Sequence, residues 1–277
     1  MPLSQPQAQR NQLDPSELGT KAYWEALYER ELANHQESGD DEGTVWFQES
    51  AVESAVIREL DRLADTGHLV RAPSAHDPRR RPASRFLDLG TGNGHMLFAL
   101  LYPDDDDDNE DGDTVDVDQA WAGDMVGVDY SATSTALANR IAARRQAQGK
   151  PQDLLDRIRF KTWDLLTQPP GSWLGDGFDV VLDKGTFDAI SLMPATPAFH
   201  SPCDTFRNNV TPLIRKGGLL FVTSCNWTKE ELVEWLAPPG GSLRLFSELK
   251  YQTFTFGGKT GQTVVTLVFQ RGESEEG

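Results

Sequence analysis

The 277-residue sequence has only two cysteines and no long hydrophobic run. Cys203 and Cys225 form neither a Cys-x-x-Cys pair nor a disulfide framework, which is typical of a protein in a reducing compartment. The longest apolar runs, at residues 96–102 and 219–222, fall far short of the roughly 20 residues that span a bilayer. The N-terminus is polar and lacks the hydrophobic core of a secretory signal. We therefore expect a cytoplasmic protein without a membrane partner.

Basic residues are scarce as well. The chain has 26 Lys and Arg against 43 Asp and Glu, and the resulting net charge of −17 disfavours DNA binding and favours a basic partner. Ten of the acidic residues lie at 104–118, a segment without a single basic residue. We interpret this segment as a solvated, disordered insertion, and steering of a basic substrate is the alternative interpretation. The five histidines are scattered and indicate no metal site.

Hydrophobic periodicity predicts an α/β protein. Short apolar runs predict five strands, near residues 86–89, 125–129, 158–162, 178–183 and 219–223. The segments between and after them predict helices at 95–101, 132–148, 204–214 and 229–236. Two further β-rich runs, at 251–256 and 263–270, are joined by a glycine-rich turn. This alternation predicts a doubly wound sheet that is mostly parallel and has an antiparallel C-terminal hairpin.

The domain organisation follows from the same pattern. We expect one domain at residues 18–271, since the chain is long enough to bury one substantial core, and we expect it to act as a monomer. Two amphipathic helices, at 19–33 and 50–64, make up an N-terminal helical cap at 19–64. The remaining segments are a disordered tail at 1–17, loop insertions at 67–84 and 102–123, and a short tail at 272–277.

A glycine-rich loop follows the first strand. Residues 86–94 read Phe-Leu-Asp-Leu-Gly-Thr-Gly-Asn-Gly, and an apolar helix begins directly afterwards. Glycines let the backbone adopt positive φ and approach a ligand closely, and the free N–H groups of the helix N-terminus face the same space. A dinucleotide fingerprint would need a glycine at position 95, where a histidine stands. The pattern resembles the first motif of class I S-adenosylmethionine-dependent methyltransferases; a glycine-rich turn that binds nothing is the alternative.

Four consecutive strands end in or next to an aspartate. These residues are Asp88, Asp129, Asp164 and Asp183. Ligands of doubly wound sheets bind beyond the carboxyl ends of the strands, so we expect these acids to share one rim. Asp129 suits the two hydroxyls of a ribose, Asp164 suits an adenine amino group, and Asp183 lies nearest the reacting end of the ligand.

Further motifs sharpen the resemblance. They are Asp-Lys-Gly-Thr-Phe-Asp-Ala-Ile-Ser-Leu at 183–192, Ser-Cys-Asn-Trp-Thr at 224–228, Phe-Gly-Gly at 256–258, and the N-terminal Gly19-Thr20, Tyr23-Trp24, 28–31 and Val45-Trp46-Phe47. Together they resemble the eukaryotic protein-lysine methyltransferases that modify translation elongation factor 1-alpha. The resemblance covers about residues 18–271, apart from the two insertions.

The resemblance implies a Rossmann-like, seven-stranded fold, S-adenosylmethionine as methyl donor and a lysine of elongation factor 1-alpha as acceptor. Carried over by position, the cofactor would be held by Asp88, Gly90, Gly92, Asn93, Gly94, Asp129, Tyr130, Trp163, Asp164 and Asp183. We expect Asp183 and Asp188 to act at the acceptor. Trp46, Phe47 and Trp227 are candidate walls of the substrate channel, although the first two are also good candidates for core residues of the cap.

Two other functions are weaker alternatives. A methyltransferase for a small molecule or an RNA base would share the fold, but the Asn/Asp-Pro-Pro-Tyr element of many base-modifying enzymes is missing after the fourth strand. A silent binding module is disfavoured because the glycines and the four rim acids are intact. The Gly-Lys-Thr at 258–260 is not a phosphate loop, since Thr253 stands where its first glycine would be and β-rich runs lie on both sides.

Overall fold

The chain forms a sheet whose central strands are short, apolar and buried on both faces. The computed structural model describes residues 12–74, 77, 79–102, 120–194, 201–251, 254–256, 259–261 and 263–272. Its strands are β1 (Phe86–Leu89), β2 (Met125–Asp129), β3 (Ile158–Thr162), β4 (Phe178–Lys184), β5 (Ile214–Ser224), β6 (Leu243–Glu248), β7 (Phe254–Phe256), β8 (Lys259–Gly261) and β9 (Val265–Arg271).

Seven of these strands form one sheet, in the order β3-β2-β1-β4-β5-β9-β6. The strands from β3 to β5 are parallel, and β9 runs antiparallel to both β5 and β6. The sequence-based prediction of a mostly parallel, doubly wound, seven-stranded sheet with an antiparallel C-terminal pair is confirmed. The carboxyl ends of β1, β2 and β4 therefore meet at one edge of the sheet.

The identity of the antiparallel pair differs from the prediction. The partner of β9 is β6, and the run at 251–256 contributes only β7, which pairs with β8 in a separate two-stranded hairpin. The strand β6 was not predicted because it lies at the edge of the sheet. Of its two leucines, Leu243 is buried and Leu245 is exposed, so the apolar alternation is weak.

Eight α-helices are present in the described residues. They are α1 (Lys21–Glu37), α2 (Val52–Asp65), α3 (His95–Leu101), α4 (Ala132–Ala147), α5 (Gln152–Leu155), α6 (Thr186–Ser191), α7 (Pro202–Val210) and α8 (Lys229–Leu236). Ser131 caps α4, and Thr228 with Glu231 forms a capping box on α8. The helix α7 ends before the expected residue 214 because β5 already begins there. None of these helices combines the length and apolarity needed to cross a membrane.

Neighbouring residues of a central strand pack into two separate hydrophobic cores, one on each face of the sheet. Phe86 of β1 packs with residues of α2 and α3 on one face, whereas Leu87 and Leu89 pack with residues of α6, α7 and α8 on the other. The cap helix α1 lies against α4, on the first face of the sheet. Both faces are thus covered, which fixes the register of the central strands and holds their carboxyl ends in place.

The ends of the predicted tail and insertions belong to the packed domain. Residues 1–11 and 103–119 lie outside the described residues, but Leu13 packs against the second core and the Ser16 amide donates to the Leu192 carbonyl at 3.2 Å. Residues before position 18 therefore also contact the packed part of the described chain. In the same way Tyr102 and Trp121, at the two ends of the 102–123 insertion, are buried in the first core.

Trp121 gives a test of this boundary. Its ring is 1% exposed, packs edge-on against Phe86 at 4.9 Å between centroids, and lies under the Arg71 guanidinium at 4.8 Å. We expect Trp121→Ala to lower the free energy of unfolding by about 3–5 kcal/mol, because it leaves a large cavity. Trp121→Phe, which keeps the aromatic contact, should lose much less. Equal denaturation midpoints for wild type and the alanine variant would show that this residue lies outside the core.

Candidate functional site

A cavity of about 360 Å³ lies at the carboxyl ends of β1, β2 and β4 and beneath the N-terminal cap. Ten of the site residues predicted from the sequence line it: Trp46, Phe47, Gly90, Gly92, Asn93, Asp129, Tyr130, Trp163, Asp164 and Asp188. These residues come from the cap, from the glycine loop and from the segments that follow β2, β3 and β4. The fold therefore brings most of the predicted site together in one place.

The glycine loop has the backbone that only glycine adopts readily. Gly90, Gly92 and Gly94 have φ angles of 61°, 58° and 83°, in the left-handed region. A Cβ on Gly92 would lie 2.8 Å from the hydroxyl oxygen of Tyr28, and a Cβ on Gly90 would lie 2.1 Å from the Thr186 hydroxyl oxygen. Both the backbone conformation and the space around it therefore require glycine at these positions.

Asp129 joins the end of β2 to the glycine loop. Its carboxylate accepts hydrogen bonds from the Gly92 amide at 3.2 Å and from the Ser131 amide at 2.9 Å. The Ser134 hydroxyl donates in turn to the Gly92 carbonyl at 2.8 Å. Because a carboxylate can accept about four hydrogen bonds, Asp129 retains acceptor capacity on a side chain that lines the cavity.

Asp164 stands on the opposite wall, beyond β3. One of its carboxylate oxygens accepts from the Leu166 amide at 2.9 Å, and its own amide donates to the Gln168 side chain at 3.0 Å. The other oxygen has no partner within this turn. Trp163, Leu165 and Leu166 surround it and give this end of the cavity an apolar lining. A flat ring with one polar edge fits such a wall.

Four predicted residues lie behind the cavity wall. They are Asp88, Gly94, Asp183 and Trp227. The Asp88 carboxylate accepts from the Thr91 hydroxyl at 2.8 Å, and Asp183 accepts from the Phe187 amide at 3.0 Å, at the N-terminus of α6. These side chains support the loops that line the cavity.

Trp227, the last of the expected channel walls, is 4% exposed. Its indole N–H donates to the Ser191 hydroxyl at 3.2 Å, and its ring packs between Phe187 and Trp235. It therefore fills the second core next to α6, whereas Trp46 and Phe47 reach the cavity.

Of the two predicted acids in β4 and α6, Asp188 lines the cavity and Asp183 does not. Asp188 lies on α6, one turn beyond the strand end, and its carboxylate accepts from the Ser224 hydroxyl and from the Cys225 amide at 2.9 Å. The Cys225 thiol lies 3.4 Å from the same carboxylate. Asp188 is thus held from the end of β5, in a fixed orientation.

Burial raises the pKa of four carboxyls at this edge of the sheet. It raises the pKa of Asp88 to about 7, against the partial opposition of the Thr91 hydrogen bond. Burial also raises the pKa values of Asp129 and Asp188, and that of Asp183 well above its ordinary range. A cation placed in the cavity would oppose this effect, because it stabilises the ionised carboxylates. The rim is therefore suited to a positively charged ligand.

Several lining residues were not predicted as part of the site, and Lys184 is one of them. The Lys184 ammonium donates to the Trp46 carbonyl at 3.2 Å and pairs with Glu53 at 3.6 Å, and Glu53 also contacts His95 at 2.6 Å. Although burial opposes it, the hydrogen bond to His95 and the charge of Lys184 lower the pKa of Glu53. Lys184, Glu53 and His95 are distant from one another in sequence, so their contacts could not be predicted. The position of Lys184 directly after Asp183, at the end of a buried strand, was the one sequence signal that it belongs to the site.

Tyr28 is a second lining residue that was not predicted as part of the site. It is buried on α1 and lines the cavity above Gly92, although its spacing indicated only a helical face. No group of three or more His, Cys, Asp or Glu side chains in the described part of the chain is arranged to hold a metal ion.

The chain is similar to characterised methyltransferases. The family model described as a methyltransferase domain matches residues 81–256. Protein-lysine N-methyltransferase efm4 of Schizosaccharomyces pombe is 35% identical over 258 residues, 93% of this chain and 95% of the relative. The EEF1A lysine methyltransferase 2 of Homo sapiens is 31% identical over 257 residues, 93% of this chain and 88% of the relative.

Two solved structures share the fold at low identity. The N-methyltransferase NodS from Bradyrhizobium japonicum WM9, in complex with S-adenosyl-l-homocysteine, superimposes with a TM-score of 0.51 at 14% identity, covering 90% of this chain and 99% of NodS. The [4+2]-cyclase SpnF gives a TM-score of 0.52 at 13% identity, covering 96% and 100%. Since one of the two is named a cyclase, the fold alone does not define the reaction.

The raised pKa of Asp88 predicts a pH dependence of stability. Its native pKa of about 7 exceeds the ordinary value of about 3.9, so the native state holds a proton that the unfolded state releases between these values. The stabilisation of the native state by this bound proton is fully present below about pH 4 and is lost as the pH rises through 7. The total contribution is at most about 4 kcal/mol.

Asp88→Asn, which can still accept from Thr91, removes this titration. We expect the melting temperature of the variant, relative to wild type, to rise between about pH 4.5 and 7.5 when both proteins are measured without ligand. A constant difference across this range would show that Asp88 is already ionised in the native protein.

Proposed function

The chain belongs to the methyltransferase-domain family, among the protein-lysine N-methyltransferases of elongation factor 1-alpha, and we propose that it transfers methyl groups from S-adenosylmethionine to a lysine of that factor. The observation that carries this proposal is the extent of the similarity. It spans 93% of the chain, and so includes the cap, α6 and the end of β5 as well as the glycine loop. The matched segment therefore takes in the elements that line both sides of the cavity.

The cavity fits the cofactor at both ends. S-adenosylmethionine supplies a methyl group on a sulfonium, and it also carries an ammonium group. We assign Gly90 and Gly92, which line the cavity, to its methionine part, with Asp88 behind the loop and Gly94 at the turn into α3. Asp129 would accept from the ribose hydroxyls with its remaining acceptor positions.

The apolar end of the cavity is assigned to the adenine. Asp164 would accept from the adenine amino group, and Trp163 would pack beside the ring. Asn93 and Tyr130 line the same cavity and complete the proposed cofactor contacts. These assignments keep the roles that the resemblance implied.

The acceptor lysine must lose its proton before it attacks. At about pH 7.4 this costs roughly 4 kcal/mol, since a free lysine has a pKa near 10.4. We assign Asp188 to the acceptor amine, because it is the acid of α6 on the cavity wall and burial raises its pKa. Trp46 and Phe47 offer aromatic faces to the cation, and Asp183 positions α6 through the Phe187 amide.

Partner and location follow from the substrate. Elongation factor 1-alpha acts in translation, so we propose a cytoplasmic enzyme with a protein partner and without a DNA or membrane partner. The net charge of −17 supports a basic protein rather than a nucleic acid as substrate. Because residues of one chain line the whole cavity, we propose that the monomer is active.

The substrate class can be tested in one experiment. Purified enzyme with isotope-labelled S-adenosylmethionine is offered elongation factor 1-alpha, total RNA and a small-molecule extract of cells in parallel, and the products are analysed by mass spectrometry. We expect label on a lysine of the elongation factor. Label confined to RNA or to a small molecule would instead favour the second candidate, a methyltransferase of the same fold with another acceptor.

Asp129 gives a test of the cofactor site. We expect Asp129→Ala to weaken S-adenosylmethionine binding about tenfold to a hundredfold, because a charge-assisted hydrogen bond worth about 1.5–3 kcal/mol is lost. Isothermal titration measures the affinity, and a thermal melt checks that the loop anchored by Asp129 still folds. Asp153→Ala, on the distant helix α5, is the control and should bind normally. Unchanged affinity in the Asp129 variant would rule out the ribose assignment.

Substitutions of Asp183 and Asp188 should differ in how much they slow methyl transfer. We expect Asp188→Asn to lower the single-turnover rate of methyl transfer at least about a hundredfold with little change in cofactor affinity. Asp183→Asn can still accept from the Phe187 amide, so we expect a smaller loss. The sequence pattern had favoured Asp183 for the larger effect. A normal rate for Asp188→Asn across the pH range would remove Asp188 from the mechanism.

A further inference from the structure

A second cavity lies directly beside the first. It has a volume of about 460 Å³ and opens beyond the end of β5 and the start of β9. Its lining residues are Ser224, Cys225, Asn226, Trp227, Thr228, Lys229, Glu230, Glu248, Thr263, Val264 and Val265, and we call this cavity the β5 groove. Cys225 and Asn226 line both cavities. The β5 groove and the proposed methyl-transfer site therefore share part of one wall.

Asp188 stands at the junction of the two cavities. Its carboxylate lines the first cavity but is held by the Ser224 hydroxyl and the Cys225 amide, and both of these residues also line the β5 groove. A side chain that reaches from the groove into the first cavity must pass Cys225 and Asn226, next to Asp188. An extended amine such as that of lysine can make this approach while its main chain stays in the groove.

The groove itself has the chemistry of a polar, acidic surface. Glu230 and Glu248 are both exposed, and the one basic residue of its lining, Lys229, is bound to Glu248 at 2.6 Å. Thr263 is exposed as well, and Asn226 is half-buried, so a hydroxyl and an amide face the open space. Hydroxyl, amide and carboxylate groups pair with the amides of an extended peptide and with basic side chains.

We propose that the β5 groove binds the polypeptide segment that flanks the acceptor lysine, and that basic residues of this segment pair with Glu230 and Glu248. This inference rests on the proposed function and adds where the protein substrate docks. Charge complementarity supports it, because the two acids of the groove outnumber its one base, and the whole chain carries a net charge of −17. The shared wall at Cys225 and Asn226 places the groove next to the acceptor side of the first cavity.

Charge reversal tests the groove. The double variant Glu230→Lys with Glu248→Lys should lower kcat/KM for full-length elongation factor 1-alpha by about tenfold or more at low salt, mainly through a higher KM. The single-turnover rate at saturating substrate and the affinity for S-adenosylmethionine should stay within about twofold. The loss should shrink as salt is added, because exposed charges are screened.

Two further variants make the result specific. Asp153→Lys is a matched control, since this aspartate is 76% exposed on α5, which leads into β3 at the opposite edge of the sheet. It changes the net charge in the same direction and should leave kcat/KM unchanged. The milder pair Glu230→Gln with Glu248→Gln, similar in size to wild type, should give an intermediate loss and covers the case in which the lysine pair folds poorly.

The outcomes separate the two proposals. If the wild-type enzyme methylates the elongation factor and both groove variants match it in kcat/KM, the groove proposal is overturned while the proposed function stands. The same holds if Asp153→Lys lowers kcat/KM as much as the groove variants do. If the wild-type enzyme fails to methylate the factor at all, the proposed function is overturned and the groove proposal falls with it.

Discussion

The burial of several carboxylates at one edge of the sheet is the constraint on which the site depends. Desolvation disfavours the ionised form of each, and each is held by donors that the fold supplies. These donors come from the loops at the strand ends: the amides of Gly92, Ser131, Phe187 and Cys225, and the hydroxyls of Thr91 and Ser224. The acids and the loops therefore hold one another in position.

The acids are arranged in two layers. Asp129 and Asp188 line the cavity, whereas Asp88 and Asp183 lie behind its wall. The front pair has access to a ligand, and the rear pair holds the glycine loop and the N-terminus of α6. This division explains how one rim can combine rigid loops with acids that remain available to a cationic donor and a cationic acceptor.

Much of the fold and of the candidate site could be predicted from the sequence, because the residues that signal them lie close together along the chain. A strand, a glycine loop and a helix follow one another within 16 residues in β1 and α3, and the motifs around them resembled the family that the relatives confirm. The caps of α4 and α8 were equally local. The methyl donor, the fold class and the protein-lysine acceptor class followed from these signals.

The features that the sequence did not predict depend on contacts between segments that are distant along the chain. Which of two acids, Asp183 or Asp188, faces the cavity is decided by the turn into α6 and by the end of β5, and strand patterns do not contain that information. The pairing of Lys184 with Glu53 joins the cap to β4 across more than a hundred residues. The edge strand β6 is partly exposed and lacks the continuous apolar run that marks the buried central strands.

The buried carboxyls should accommodate a cationic ligand, and proton release on binding tests this. Isothermal titration of S-adenosylmethionine at about pH 6.5, in two buffers with different enthalpies of ionisation, reports the protons exchanged on binding. With the pKa of Asp88 at about 7, much of this carboxyl is protonated before binding, so we expect a net release of a substantial fraction of one proton. S-adenosylhomocysteine, which lacks the sulfonium charge, should release fewer protons. Identical binding heats in both buffers for S-adenosylmethionine would show that the carboxyls do not respond to the charge of the ligand.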